Sequence, residues 1–249
     1  MKSIYNIYNE SILDDIETNL ANGDKYMKSL KDEVEKFIKS AYRIEGKYKI
    51  SNNPNKDGMY IVNATGKVFF RSHQHEHLTN GMFIWNKVDG NFICGERGLK
   101  SLEGGPKEVT GKFVCSWDNE LTSLIGAPKK VGGDFECHNC MRLESLEGAP
   151  VEVGGTFNCN NCKNLISLKH GPKKVKDNYY CSGCDSLTSL EGAAKEVGRD
   201  FYCQLCKNLE SLKGAPKKVT TFICYHCKGR FTVKDVQKYI DLPAGDIEI

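Results

Sequence analysis

The feature that most narrows the folds open to this chain is a repeat. Seven cysteines, Cys94, Cys115, Cys137, Cys159, Cys181, Cys203 and Cys224, follow one another at intervals of 21, 22, 22, 22, 22 and 21 residues. A period of roughly 20 to 50 residues marks a stacked array, because one such unit cannot bury its own apolar side while neighbouring copies bury a continuous one. The fullest copy, Phe135 to Thr156, gives the template FxCxxCxxLxSLxGAPxxVGGx, and later copies begin at Phe157, Tyr179, Phe201 and Phe222. The two short intervals are single-residue deletions, after Arg97 and in the Val219-to-Phe222 link, both in turns that tolerate them. An earlier copy is expected with Phe70, Ser72, His75, Leu78 and Val88 in the aromatic, first-cysteine, second-cysteine, leucine and valine positions, which makes about eight rungs. Tyr48, Ile50 and Asn53 repeat the first half once more, as a capping strand would. At about 4.8 Å between neighbouring strands, seven steps give an array about 34 Å long.

Aligned as VxxxFxCxxCxxL, the repeat resembles the leucine-rich repeat segment LxxLxLxxCxxL. The downstream LxSLxGAPxxV is similar to short bacterial leucine-rich repeats whose return strand carries a proline. The wording SLEGAPVEVGG, with the opening IYNESILDDIE, also resembles proteins encoded by tailed bacteriophages. The resemblance implies a mainly β, leucine-rich-repeat-like solenoid over residues 69–230 and a chain at work in the cytoplasm of an infected bacterial host. Cysteine stands at the second strand position where leucine is usual, which suits the fold because buried thiols behave as small apolar groups.

The flanks carry their own signals. Residues 1–45 predict a helical hairpin: Ile12, Leu13, Ile16 and Leu20 share one face, Asn22-Gly23 stops that helix, and Asp24 caps a second. The second has its stripe at Met27, Leu30, Val34, Phe37 and Ile38. Residues 46–68 predict short capping strands around YKIS, MYIV and GKVFF. Residues 231–249 predict a C-terminal cap, with Thr232 and Asp235 as a capping box and Val233, Val236, Tyr239 and Ile240 before Pro243.

Five CxxC pairs (137/140, 159/162, 181/184, 203/206 and 224/227) would out of context suggest zinc, since two pairs complete a four-thiolate site. In the repeat register both cysteines of a pair point inward, and Arg97 and Asp118 replace the second thiol in two rungs that continue regardless. A buried ladder of reduced thiols is therefore expected, with no metal and no cofactor. Disulfides within a pair are not expected, because Cα atoms three residues apart on a strand lie about 10 Å apart, beyond the roughly 7 Å limit. HQHEH at 73–77 looks metal-like, but the strand should be turning there and His75 falls on the inward position, so its rings are not expected to converge.

Stacking turns each template position into a column. Outward columns on the strand face place Trp117, Tyr180, Tyr202, Leu205, Ile223 and Tyr225 as candidate partner-binding residues, an aromatic-rich set, although cross-strand aromatic pairing can use the same side chains. Past the proline, Lys107, Lys129, Lys173, Lys195 and Lys217 form a basic stripe interrupted by Val151. Beside it Glu108, Lys130, Glu152, Lys174, Glu196 and Lys218 alternate in sign, which favours the native stacking register over a one-rung slip.

A formal charge of +3, from 35 basic and 32 acidic residues, demands no polyanionic partner. The first residues lack a secretory signal and no stretch reaches the roughly 20 apolar residues of a membrane span, so a soluble, intracellular chain is expected. No phosphate-cradling glycine loop, GxSxG elbow or paired acid site stands out, so binding is expected rather than catalysis. The expected partner is a host or phage protein, and the phage resemblance implies inhibition of a host process such as antiviral defence. A virion or assembly component, and a nucleic-acid or ribonucleoprotein binder acting through the lysines, are the alternatives; no membrane and no small-molecule substrate are expected.

Overall fold

The computed structural model describes residues 23–249, with side chains from residue 27 onward. The first helix of the expected hairpin, with Ile12, Leu13, Ile16 and Leu20, lies outside the described residues. Helix α1 spans Gly23–Ala41. It already contains Gly23 and Asp24, so Asp24 is a helical residue and not the cap. Its apolar stripe closes on the first rungs: Val34 and Ile38 are buried and Met27, Leu30 and Phe37 pack partly buried against the core. Among the described residues no helix is long and apolar enough to cross a membrane.

The rest is a mainly β solenoid of about nine turns with rungs of about 22 residues. Each regular rung contributes two short arms, one to each of two parallel sheets. The first sheet is carried by β6 (Phe92–Ile93), β8 (Phe113–Val114), β10 (Phe135–Glu136), β12 (Phe157–Asn158), β14 (Tyr179–Tyr180), β16 (Phe201–Tyr202) and β17 (Phe222–Ile223). The second is carried by β5 (Phe83–Asp89), β7 (Glu108–Val109), β9 (Lys130–Val131), β11 (Glu152–Val153), β13 (Lys174–Val175) and β15 (Glu196–Val197). The registers are whole-repeat registers, Phe113 on Phe135 on Phe157 and Val109 on Val131 on Val153.

At the N-terminal end, β1 (Tyr42–Glu45) and β2 (Tyr48–Ile50) pair antiparallel with β4 (Lys67–Phe70) and β3 (Tyr60–Thr65) and close the two sheets. Parallel stacking already begins at β3 and β4, ahead of residue 69. The first rung corrects the expected alignment, because Val68 lies opposite Phe92 and Phe69 opposite Ile93. Phe70 therefore fills the first-cysteine slot rather than the aromatic one, and Tyr42 packs on it with ring centroids 5.1 Å apart. At the far end β18 (Ile247–Glu248) adds in parallel to β17. Helix α2 is shorter than expected, Val233–Gln237, and its capping box is formed: Asp235 N–H donates to Thr232 Oγ1 and Thr232 N–H to Asp235 Oδ2.

The inward positions make continuous columns of Phe, Cys, Leu and Val, almost all fully buried. The aromatic column runs unbroken from Phe92 through Phe113, Phe135, Phe157, Tyr179 and Phe201 to Phe222, with centroids 5.0 to 5.7 Å apart. The alternating charge column behaves as its signs require. Lys87 extends it backward with an ion pair to Glu108 at 2.9 Å, and Lys174 meets Glu196 at 3.2 Å.

Candidate functional site

Every first arm leaves the sheet by the same device. The second residue after the first cysteine, in turn Glu96, Trp117, Asn139, Asn161, Gly183, Leu205 and His226, has φ between 54° and 66°. Asn and Gly enter this left-handed region readily, whereas for Trp117 and Leu205 it costs roughly 1–2 kcal/mol each. The turn swings the second cysteine beneath the sheet. There its thiol donates to the carbonyl of the first cysteine one rung earlier: Cys140 to Cys115, Cys162 to Cys137, Cys184 to Cys159, Cys206 to Cys181 and Cys227 to Cys203, all at 3.2 to 3.3 Å. The thiols thus satisfy backbone acceptors that the turn leaves open.

Of the two rungs without a second thiol, one supplies that donor from another side chain and the other does not. Arg97 Nε donates to the carbonyl of Phe70 at 3.1 Å, the residue in the first-cysteine slot one rung back. Asp118 reaches the other way, its Oδ1 accepting the N–H groups of Arg97, Gly98 and Leu99 at 2.8, 2.7 and 3.2 Å. Asp118 is fully buried, its Oδ2 has no partner among the described residues, and burial raises its carboxyl above the ordinary value.

All twelve cysteines are free and buried. Burial pushes the thiols of Cys94, Cys115, Cys137, Cys159, Cys162 and Cys181 well up, so they stay protonated and unreactive. The expectation that a pair is held far apart needs correction. Each pair straddles the left-handed turn rather than lying along a strand, and the sulfurs of Cys224 and Cys227 are 3.6 Å apart.

The three histidines of HQHEH go to three neighbours. His73 meets Arg97 at 3.2 Å, His77 meets Ser101 at 3.1 Å, and His75 is half-buried against Phe37 of α1, with ring centroids 4.8 Å apart. Among the described residues no group of three His, Cys, Asp or Glu side chains is placed to hold a metal ion.

The candidate partner residues divide. Tyr180 and Tyr202 stack on each other with centroids 4.4 Å apart and are half-buried; burial, with Tyr180 and Asp200 beside it, pushes the Tyr202 hydroxyl up to about 12. They serve the sheet first. Ile223 is only 6% exposed, beside the strand that β18 adds, and is therefore not part of an open face. Trp117, Leu205 and Tyr225 remain exposed at 50%, 51% and 37%. Leu205 and Tyr225 sit on adjacent rungs, joined by a hydrogen bond from the Leu205 N–H to the Tyr225 carbonyl. Trp117 stands four rungs away, about 19 Å along the array. Between them lies a polar stretch in which Glu136 is held low by His138, the largest influence, and by Lys112.

On the second sheet Lys107, Lys129, Lys173, Lys195 and Lys217 are all exposed, and none is in an ion pair among the described residues. Since the neighbouring column cancels its own charge, these five lysines exceed the +3 of the whole chain. Compared with known protein families, with curated proteins and with solved structures, the chain shows no match.

Proposed function

We propose that the chain is a non-enzymatic repeat scaffold that binds a protein partner along the corner where the first arm turns. One observation carries this reading: the left-handed column puts Trp117 and Leu205, both half-exposed, where Asn and Gly serve the backbone better. An apolar side chain held exposed on a strained backbone costs stability in the free protein, and burial of its surface by a partner offsets that cost. Tyr225 extends the Leu205 patch by one rung. The resemblance to phage-encoded proteins supports a host protein as the partner and inhibition of a host process, antiviral defence included, as the outcome. The thiols take no part, since they are buried and bonded to the backbone.

The test is affinity capture from bacterial lysate with the intact chain, beside a variant combining Trp117→Ala, Leu205→Ala and Tyr225→Ala. One defined protein, retained in stoichiometric amount by the parent and lost by a variant of unchanged thermal stability, is the expected result. Equal retention by both removes the corner from the interface.

A further inference from the structure

The last cysteine pair departs from the pattern of the ladder. In earlier rungs the first thiol donates to a carbonyl of the following rung: Cys94 to Val114, Cys159 to Tyr180 and Cys181 to Tyr202, at 3.3 to 3.4 Å. Cys224 instead turns its thiol toward its own pair partner, with the Cys224 and Cys227 sulfurs 3.6 Å apart. The left-handed turn at His226, φ 54°, draws the chain back on itself and brings the two side chains to the same spot. A disulfide needs the sulfurs at about 2.05 Å, a closure of about 1.5 Å that rotation about the side-chain bonds can supply.

This pair also differs from the others in access. The ten cysteines from Cys94 to Cys206 have no exposed surface, whereas Cys224 is 2% and Cys227 8% exposed. Tyr225 and His226, between the two, and Lys228 beyond them face solvent. So small an opening suits an oxidant of two heavy atoms better than a bulky disulfide. Hydrogen bonds with the thiols of Cys206 and Cys224 hold Cys227 below the ordinary thiol value, while those with Cys203 and Cys227 hold Cys224 above it. Cys227 is therefore both the more open and the more readily ionised of the pair, which makes it the attacking sulfur.

We propose that Cys224 and Cys227 are a redox-active pair that hydrogen peroxide converts to an intramolecular disulfide across the last left-handed turn. The Cys227 thiolate attacks one peroxide oxygen, the O–O bond breaks, and the departing hydroxide takes up the thiol proton as water. The sulfenic acid left on Cys227 is then attacked by the Cys224 sulfur; the S–O bond breaks and its oxygen leaves with the Cys224 proton as a second water. The two sulfurs give up two electrons and the peroxide takes them. Oxidation also removes the proton that Cys227 donates to the Cys203 carbonyl, so it unfastens the last rung from its neighbour. The chemistry does not depend on the partner-binding corner.

The full chain, first reduced, is treated with hydrogen peroxide, its remaining thiols are alkylated after unfolding, and the peptides are mapped by mass spectrometry. Loss of two hydrogens, one disulfide joining Cys224 to Cys227, reversal by dithiothreitol, and alkylation of the other ten cysteines are expected. In Cys224→Ala the sulfenic acid at Cys227 has no resolving thiol and should be captured by dimedone. Full alkylation of Cys224 and Cys227 after peroxide, a disulfide joining Cys227 to Cys203 or Cys206, or oxidation spread evenly over the interior thiols each overturns the proposal. So does a Cys224→Ala chain that melts like the parent and yields no dimedone adduct at Cys227.

Discussion

Replacing Asp118 tests the account of how the rungs are fastened. Its Oδ1 is the acceptor for three consecutive amides of the preceding turn, and of their residues Leu99 is fully buried while Arg97 and Gly98 reach solvent. Asp118→Ala leaves the Leu99 amide without an acceptor and the other two to partial rescue by water, so the cost is about 2–4 kcal/mol. Asp118→Asn keeps a carbonyl oxygen in place and removes a carboxylate whose second oxygen is unpaired, so it stays within about 1 kcal/mol of the parent near neutral pH. The two substitutions also separate in their pH dependence. Burial holds the Asp118 carboxyl above its ordinary value, so the folded state binds its proton more readily than the unfolded chain does. The contribution of such a group to stability is largest below the unfolded value near 3.9 and falls as pH rises through the folded one. Going from neutral pH toward about 4, the parent should therefore gain stability relative to Asp118→Asn, whose side chain does not titrate. Urea unfolding followed by circular dichroism at several pH values reads both effects. A cost below about 0.5 kcal/mol for the alanine variant, or a parent-to-asparagine difference that does not change with pH, would refute the reasoning.

Lys174→Glu places three glutamates on adjacent rungs, since Lys174 lies opposite both Glu152 and Glu196; the melting temperature should fall by a few degrees and recover in high salt. Leu205→Asn suits the left-handed backbone better, and thermal unfolding should show a gain of about 1 kcal/mol; a loss would mean that Leu205 packs more than its exposure suggests. The thiols of Cys94, Cys115, Cys137, Cys159, Cys162 and Cys181 should stay silent to a thiol reagent in the native protein and react together on unfolding. Metal analysis of protein purified without added zinc should find far less than one equivalent, and near-stoichiometric zinc that survives dialysis would overturn the ladder.

Much of the architecture is legible in the residues. The period, the inward Phe, Cys, Leu and Val, and the sign alternation from Glu108 to Lys218 all follow from one template, because each apolar face needs the next rung to cover it. The first rung was misaligned for a physical reason. A slip of two residues leaves the inward and outward alternation of a strand unchanged, so GKVFF fits with either Val68 or Phe70 in the aromatic slot. Antiparallel pairing with β1 and the packing of Tyr42 make the choice. The exposed site was less legible. Asn139, Asn161 and Gly183 in one column did hint at a left-handed position, but only the backbone shows that Trp117 and Leu205 share it. The burial of Ile223 depends on β18, which returns from 24 residues downstream to pair with its strand.

By itself, then, the sequence determined a stack of rungs and what each rung turns inward, because a repeated apolar pattern has one way to be buried. The tertiary structure alone decided what comes together on the outside. One circuit returns the chain beside its starting point, so Lys129, Val151 and Lys173, on three successive rungs, line one depression. No single 22-residue window contains that meeting, since it depends on the contact between successive rungs.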